Sequence, residues 1–595
     1  MSESDTKVPP TPAEPAQTNG AHSEQQWGRI IITGGTDWAN LGKRDRAGAS
    51  LVDQDTYPDL YEPHVLRPLC TVKIASIYAA PCASHFVAID IKGGAWLWGR
   101  NTSSALGVDG DTTDAIQCDA PRRVTASSLG APKGTRFVHA AVGRYHTLLV
   151  GSNGRVWGAG LNNNGQCGLP SSTPELKTFT LIESGPKNGG DRERVVQAAA
   201  GISFSLVLTD TGRVYAFGSA EHGQLGNGTT GEHIGNNRKV MFDIVDEPTL
   251  VEGLEGKEVT QIAAGNQHSI VVTKDGLVYT WGSGGYCRTG LGKQDDALTA
   301  QLVTAPFTGE HEEQRAWKVF AGPTNCIVVD RQRVTWIAGK WKTSGDGSAG
   351  QSYTTFKRMP ELEACKVSTA ASGGVTHFAV TPDTEAEDDK EVNMTVAWGQ
   401  NAQNGELGLG NEGPLSSTRP TRVEPLKGVH VFALAAGQHS SVFLATPGSE
   451  LSSLPRHPHV EAPGECVVCS QDKGEDDSPL ECEKCETPYH LGCLNPPLSA
   501  VPEDEWFCDK CIAEAAAAVP DEPAEPEAVA EAEAEVKPKP KPVSPAPETN
   551  GAAVENGATT NGDAPTNGLK RKVPEDADEA PAEEGNAKKL KADSE

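Results

Sequence analysis

The sequence predicts an all-β fold: a ring of repeated strand units, then a small cysteine-rich module, with polar tails at both ends. Three observations predict it. A two-part apolar motif recurs through residues 27–445; its two parts occur in equal number but out of phase; and half of the chain's 14 cysteines crowd between Cys466 and Cys511.

Residues 1–26 are polar and proline-rich, with too little apolar content to offset chain entropy, so they are expected to be disordered. They lack the apolar core of a secretory signal. No apolar run approaches the roughly 18 residues of a membrane span. A soluble intracellular protein is expected, with its cysteines kept reduced, which favours metal binding over disulfides. The formal charge of −28 opposes general coating of nucleic acid, because phosphates would be repelled. Neither a membrane partner nor sequence-specific DNA binding is expected.

From Trp27 a repeat begins, and a repeat decides the fold before any single element does. One half reads Ala-Gly-x-x-His-Ser and continues with apolar residues. It stands as AVGRYHTLLV around His146, AAGISFSLVL around Phe204, AAGNQHSIVV around His268, FAGPTNCIVV around Asn325 and SGGVTHFAV around His377. A variant surrounds His85, and in the last copy His439 comes one residue early. The other half is an apolar strand ending in Trp-Gly or its like, then a loop ending Gly-x-Leu-Gly, as in RVYAFGSAEHGQLG and TVAWGQNAQNGELG. Turns such as Asp210-Thr211-Gly212 join the halves where a hairpin needs positive φ. Each unit is therefore a hairpin with outer strands.

Both halves occur seven times, but the first strand, GRIIITGG at 28–35, has no preceding partner and the half around His439 has no following one. Pairing them completes a seventh unit and closes a seven-bladed β-propeller, which leaves few exposed edges. The histidines His85, His146, His268, His377 and His439 recur at one position of the unit, so they are expected to satisfy backbone groups within their own blades rather than bind metal or catalyse. The seven scattered cysteines are expected in the core. No P-loop, nucleophile elbow or His-Glu-x-x-His motif is present, and no enzyme active site is predicted.

These residues resemble the regulator-of-chromosome-condensation repeat family over 27–445. TGGTDWANLG at 33–42, Gly-Ser-Gly-Gly-Tyr at 282–286 and the sixth unit WIAGKWKTSGDGSAG are most similar to the branch named the second regulator of chromosome condensation. The resemblance implies that a propeller face binds a protein: a nucleosome, a small GTPase or another partner. Nucleotide exchange on a small GTPase is the alternative function.

Residues 446–463 read as a polar, proline-rich linker. About 20 residues can span up to ~70 Å, so the module beyond is expected to move relative to the propeller. In residues 464–513, Cys466, Cys469, Cys482, Cys485, His490, Cys493, Cys508 and Cys511 supply eight soft ligands, enough for two closed tetrahedral zinc sites of the structural kind. The histidine stands fifth in the order, which excludes the RING arrangement. The spacing resembles the PHD finger. That resemblance implies an interleaved cross-brace: Cys466, Cys469, His490 and Cys493 on one zinc, and Cys482, Cys485, Cys508 and Cys511 on the other. It places Trp506 in the finger's core.

PHD fingers commonly take the histone H3 tail as an added strand, and the resemblance places it beside residues 477–481. Pro488 stands where methyl-lysine readers have a cage tryptophan, so no cage is predicted. Carboxylates stand there instead. By the resemblance, Glu483 and Glu486 hold the first arginine of the tail, Asp476, Asp477 and Glu481 meet an unmethylated lysine, Leu480 belongs to the segment beside which the tail adds, and Pro502 and Glu503 lie in the loop that holds its free amino end. The alternative reading of these acids is a solvated face. Residues 514–595 are expected to be a disordered acidic tail. Within it Lys570, Arg571, Lys572, Lys588, Lys589 and Lys591 read as a nuclear import signal. The sequence thus predicts a nuclear, chromatin-associated binding protein that needs two zinc ions and reads histone H3 or the nucleosome, unmodified tail favoured.

Overall fold

The computed structural model describes residues 25–109, 113–118, 120–235, 238–342, 350–383, 392–472, 480–502 and 505–518. Seven β-sheets of four or five strands form the propeller. The first blade runs from the inner strand Ile74–Tyr78 through His85–Asp90 and Ala95–Arg100 to short outer strands. The following blades begin with inner strands Phe137–Val142, Val195–Ala200, Val259–Ala264, Ala316–Ala321 and Thr369–Ser372. The middle strands of the blades are the most buried, because each has a neighbour on both sides and a blade against each face: His85–Asp90, Phe204–Thr209, Val214–Ser219 and His268–Thr273 are buried throughout.

The seventh blade joins the two ends of the ring. Inner strands Val431–Ala436 and Ser440–Ala445 come from the C-terminal side, and outer strands Arg29–Gly34 and Leu60–Leu66 from the N-terminal side. Arg29–Gly34 pairs antiparallel with Ser440–Ala445 in continuous register, Ile31 opposite Phe443. Ile31 and Phe443 are both fully buried, so closure is a core contact and not only a ladder of hydrogen bonds.

Strand register explains the repeated glycine. His85 lies opposite Gly99, His146 opposite Gly160, Phe204 opposite Gly218, His268 opposite Gly282 and Asn325 opposite Gly339. At Gly99 φ is +107°, and a Cβ would come within 2.6 Å of the Ser84 carbonyl oxygen, so only glycine fits. The same register corrects the placing of His377 and agrees with the early position of His439. In the sixth blade Thr376, not His377, lies opposite Gly399, and in the seventh Ser440, not His439, lies opposite Gly34. His377 stacks instead on Trp398 at 5.4 Å and meets the Ser372 hydroxyl at 2.8 Å.

The in-register histidines also differ from expectation in their partners: they bond to the next blade, not to their own. His85 Nε2 lies 2.9 Å from Thr147 Oγ1, whose hydroxyl donates to the Ala105 carbonyl at 2.6 Å. Since that hydroxyl proton is committed, Nε2–H is the donor in the first bond. His146 repeats the relay with Ser205 at 2.9 Å and the Gln166 carbonyl at 2.8 Å. His268 donates to the Asn325 carbonyl at 3.2 Å. Bonds of this kind tie the first blade to the second, the second to the third and the fourth to the fifth without charge.

The segment expected to be a free linker is built into the propeller. Residues Ser449–Ser452 form one helical turn, and Leu451 and Leu454 are buried among Ile31, Val65, Phe378 and Phe443. Arg456–His457 then adds to the seventh blade as a fifth, parallel strand, Arg456 beside Val65 and His457 beside Leu66. The reason is compositional: two leucines three apart in this polar stretch, one on the turn and one just after it, find a cleft at the ring's seam. Six of the scattered cysteines are buried and Cys365 is half-buried.

Burial pushes His85, His146 and His268 down to about 3. A histidine in the unfolded chain takes a proton near pH 6.5, and these cannot do so when folded, so their contribution to stability is full above pH 6.5 and is lost as pH falls from there toward 3. The melting temperature is expected to fall between pH 7 and pH 5, and His146→Gln to reduce that slope; an unchanged slope in the variant would contradict the assignment.

Candidate metal centre and the finger–propeller interface

The finger is small. A two-residue pair of strands, Leu480–Glu481 against Pro488–Tyr489, a 3-10 turn Leu491–Cys493 and the helix Asp509–Ala518 are its regular structure among the described residues. Its compactness comes from two four-ligand groups. The donor atoms of Cys466, Cys469, His490 and Cys493 lie within 4.8 Å of one another, and so do those of Cys482, Cys485, Cys508 and Cys511. Alternate ligand pairs along the chain thus go to different sites, which is the cross-brace. Two zinc ions fit these groups, and with all four positions supplied by protein both sites are structural.

The histidine faces the thiols through Nδ1, 3.3 Å from Cys469 Sγ and 3.9 Å from Cys493 Sγ. Backbone N–H groups orient the sulfurs from outside: His490 N–H points at Cys466 Sγ and Cys508 N–H at Cys482 Sγ. At Cys466 burial raises the thiol pKa, but N–H groups of His490, Cys469 and Val468 outweigh it and bring the value down to about 6. At Cys485 burial is outweighed in the same way by the Thr487 hydroxyl and N–H, giving about 7. Burial pushes Cys482 up and Cys493 up to about 11, so only part of the ligand set ionises readily before metal binds, and zinc takes the ligands as thiolates.

Each aromatic of the finger is engaged in packing. Tyr489 and Trp506 meet edge to face at 5.4 Å over the second metal group. Phe507 packs against the seventh blade's core and lies 5.7 Å beneath the Arg29 guanidinium. With Pro488 buried in a strand, no aromatic among the described residues is left to form a cage.

Three arginines of the seventh blade reach three glutamates of the finger. Arg29 donates to both carboxylate oxygens of Glu505, at 2.7 and 3.1 Å, and to the Val72 carbonyl at 2.9 Å. Arg67 donates to Glu486 at 2.5 Å, to the Lys484 carbonyl at 2.7 Å and to the Pro458 carbonyl at 2.6 Å. Arg456 donates to Glu483 and to the Ser452 carbonyl. The side chains of Arg29 and Glu505 are 5% and 13% exposed, so this pair is shielded from solvent and its forked geometry carries energy that a surface pair would not. The finger is docked, and the freely moving domain expected from the sequence is not what the structure shows.

These contacts bear on the sequence-predicted tail residues. Glu483 and Glu486 flank the second knuckle and face propeller arginines; Leu480 is half-buried and Glu481 exposed on the short strand; Pro502 lines a cleft of about 690 Å³ with Glu483, Glu505, Trp27 and Lys73. Asp476, Asp477 and Glu503 lie outside the described residues, as do Lys570, Arg571, Lys572, Lys588, Lys589 and Lys591. Glu505, Arg29, Arg67 and Arg456 were not singled out from sequence. An unpaired acid beside the last ligand pair gives no signal by itself, and the arginines sit in strands whose neighbours only the closed ring defines.

The RCC1-like domain family model matches residues 29–443, and the PHD-finger model matches residues 466–511. The chain belongs to the RCC1-like domain family. It is 29% identical to the RCC2 homolog of Xenopus laevis over 448 residues, covering 72% of this chain and 81% of the relative. It is 28% identical to human RCC2 over 436 residues, 71% of this chain and 77% of the relative. The RCC2-like resemblance read from residues 33–42 and 282–286 is thus shown for the propeller, here fused to a PHD finger. Among solved structures, yeast Prp20p aligns with a TM-score of 0.55 at 19% identity, over 71% of this chain and 92% of that one. Human WBSCR16 aligns at 0.54 and 22% identity, over 70% and 99%. Both show the same fold.

The purified chain is expected to hold two zinc ions, and Cys482→Ser to lower that number while loosening the interface, since Glu483, Lys484 and Glu486 ride on the same knuckle. Zinc binding on the order of 10–16 kcal/mol per site is the folding energy of such a module. Elemental analysis of wild type and variant, followed by thermal unfolding, checks this; full metal content in the variant would contradict the ligand set.

Proposed function

We propose that this protein is a nuclear, chromatin-associated binding protein whose PHD finger reads the N-terminal tail of histone H3, the unmodified form favoured, while its propeller binds a second protein. The observation that carries the reading is that Glu483 and Glu486 already accept guanidinium groups, from Arg456 and Arg67. They are side chains suited to an arginine, and they stand where the tail's first arginine would lie. The strand Leu480–Glu481 supports the same reading. It pairs only with Pro488–Tyr489 among the described residues, so its other edge can take an added strand. The engagement of Tyr489, Trp506 and Phe507 in packing argues against a trimethyl-lysine cage, which needs free π faces. A lysine with its protons would instead be met by carboxylates such as Glu481.

For the propeller, the hairpin His233–Ile234 with Val240–Met241 projects from the third blade and leaves Ile234, Val240 and Met241 exposed. Apolar side chains grouped on a projecting hairpin suit a protein partner better than nucleic acid. A small GTPase is the second reading of that partner, favoured by membership in the RCC1-like family. Exchange on such a partner would distort its nucleotide site and need no reactive group of this chain's own. Nuclear location rests on the basic clusters from Lys570 to Lys591.

Calorimetric titration of the full chain with H3 tail peptides bearing zero to three methyl groups on the lysine is expected to rank the unmodified peptide tightest; tightest binding of the trimethylated peptide would refute the carboxylate reading. Nucleotide release from a panel of purified small GTPases separates the two propeller readings. No acceleration is expected, and acceleration of any one would establish the exchange reading.

A further inference from the structure

The finger's arginine-accepting side chains are occupied in this structure. Arg67 places one N–H on Glu486 and a second on the Lys484 carbonyl, between the two acids, while Arg456 takes Glu483. The side chains of Glu486 and Glu483 are 25% and 21% exposed, so little room is left beside them for another guanidinium. Both arginines are fixed from behind. Arg67 is held by the Pro458 carbonyl and Arg456 by the Ser452 carbonyl, and both of those carbonyls belong to the segment that doubles back along the seventh blade.

We infer that Arg67 and Arg456 act as an internal latch, occupying the finger's arginine-binding acids in the way a ligand's arginine would. The inference rests on the histone-tail reading above for the identity of the competing ligand, but the latch itself rests on the contacts. Each carboxylate takes one guanidinium N–H, and Arg67 spreads its other N–H groups over the Lys484 and Pro458 carbonyls, so the site is satisfied by a planar, multi-donor cation and is exchanged only for a partner of like charge and shape. A tail arginine meets that description; a lysine side chain presents a compact point charge and does not match the planar array of donors with which Arg67 serves Glu486 and the Lys484 carbonyl together. The tail must therefore displace Arg67 and Arg456, and its apparent affinity is reduced by the fraction of chains in which they are already released.

The latch also gives the docked state a means of opening. Arg29 with Glu505, packed against Phe507, is a separate ion pair that uses neither Glu483 nor Glu486, although Glu483 and Glu505 line one cleft. Release of Arg67 and Arg456 frees the knuckle that carries the two acids while Arg29 still anchors the finger to the ring. Binding at the finger would then loosen Arg456–His457 from Leu60–Leu66, so occupancy of the finger is communicated to the propeller's outer edge.

The test compares the full chain with its Arg67→Ala/Arg456→Ala variant and with the milder Arg67→Lys, with zinc content and the propeller's melting transition confirming that each is folded. Amide hydrogen exchange is followed across residues 480–490 and 455–458, and affinity is measured for a synthetic unmodified H3 tail peptide. The double variant is expected to exchange at least tenfold faster in both segments and to bind the peptide at least tenfold tighter. Peptide added to wild type should speed exchange at 455–458. Faster exchange with unchanged peptide affinity would overturn competition at these acids and leave the histone-tail reading standing. If neither chain binds the peptide, the histone-tail reading falls, and exchange alone decides the latch: faster exchange in the double variant upholds it, and unchanged exchange overturns it.

Discussion

Closure of the ring is the constraint on which the rest of the structure depends. The strand Arg29–Gly34 lies between Ser440–Ala445 and Leu60–Leu66, so the two ends of the propeller are zipped into one blade. The three arginines that meet the finger come from that blade. Arg29 opens the closing strand, Arg67 follows the outer strand, and Arg456 begins the added fifth strand. Because the chain leaves the ring at the seam where it entered, the finger emerges beside residues that precede it by about four hundred positions, and no other arrangement of blades would put them there.

The contacts at the seam join two modules that hold themselves together by different physics. The propeller is stabilised by apolar burial and by uncharged histidine–hydroxyl relays between blades. The finger has almost no apolar core and is stabilised by metal ligation. What fastens one to the other is charge with geometry: three guanidinium groups on three carboxylates, with Phe507 and Leu454 supplying the apolar part. Arginine suits this position because its planar fork remains charged when shielded and serves several acceptors at once, as Arg67 does. The chain's overall charge of −28 also means that these arginines sit in a generally acidic molecule, where an acid that loses its partner gains repulsion as well as exposure.

Much of this was legible in the sequence because repetition is a strong signal. Seven copies of each half-motif, offset by one, dictate both blade number and closure, and eight ligands in the order found for the finger dictate its metals. Register was legible to one residue at His439, whose early position is visible in the motif, but not at His377. His377 and His439 each sit beside the repeat position held by Thr376 and Ser440, since either small polar side chain satisfies the site and lets the histidine drift. The hydrogen-bond direction of His85 and His146 was also hidden, because the acceptor hydroxyls of Thr147 and Ser205 become neighbours only when blades stack. Residues 446–463 looked like a linker by composition, and the burial of Leu451 and Leu454 depends on a cleft that local sequence does not encode. The acids Glu483 and Glu486 were recognised as arginine partners, but sequence proximity could not name Arg456 and Arg67 as arginines that reach them.

Docking of the finger on the seventh blade is the central claim, and a distance distribution tests it most directly. Spin labels carried on unnatural amino acids at Val468 in the finger and Leu250 in the propeller, both exposed, avoid the metal-binding thiols. A docked finger gives one narrow distance in the full chain at physiological salt. A broad distribution, of the kind produced by a domain on a free tether of about 20 residues, would contradict the account.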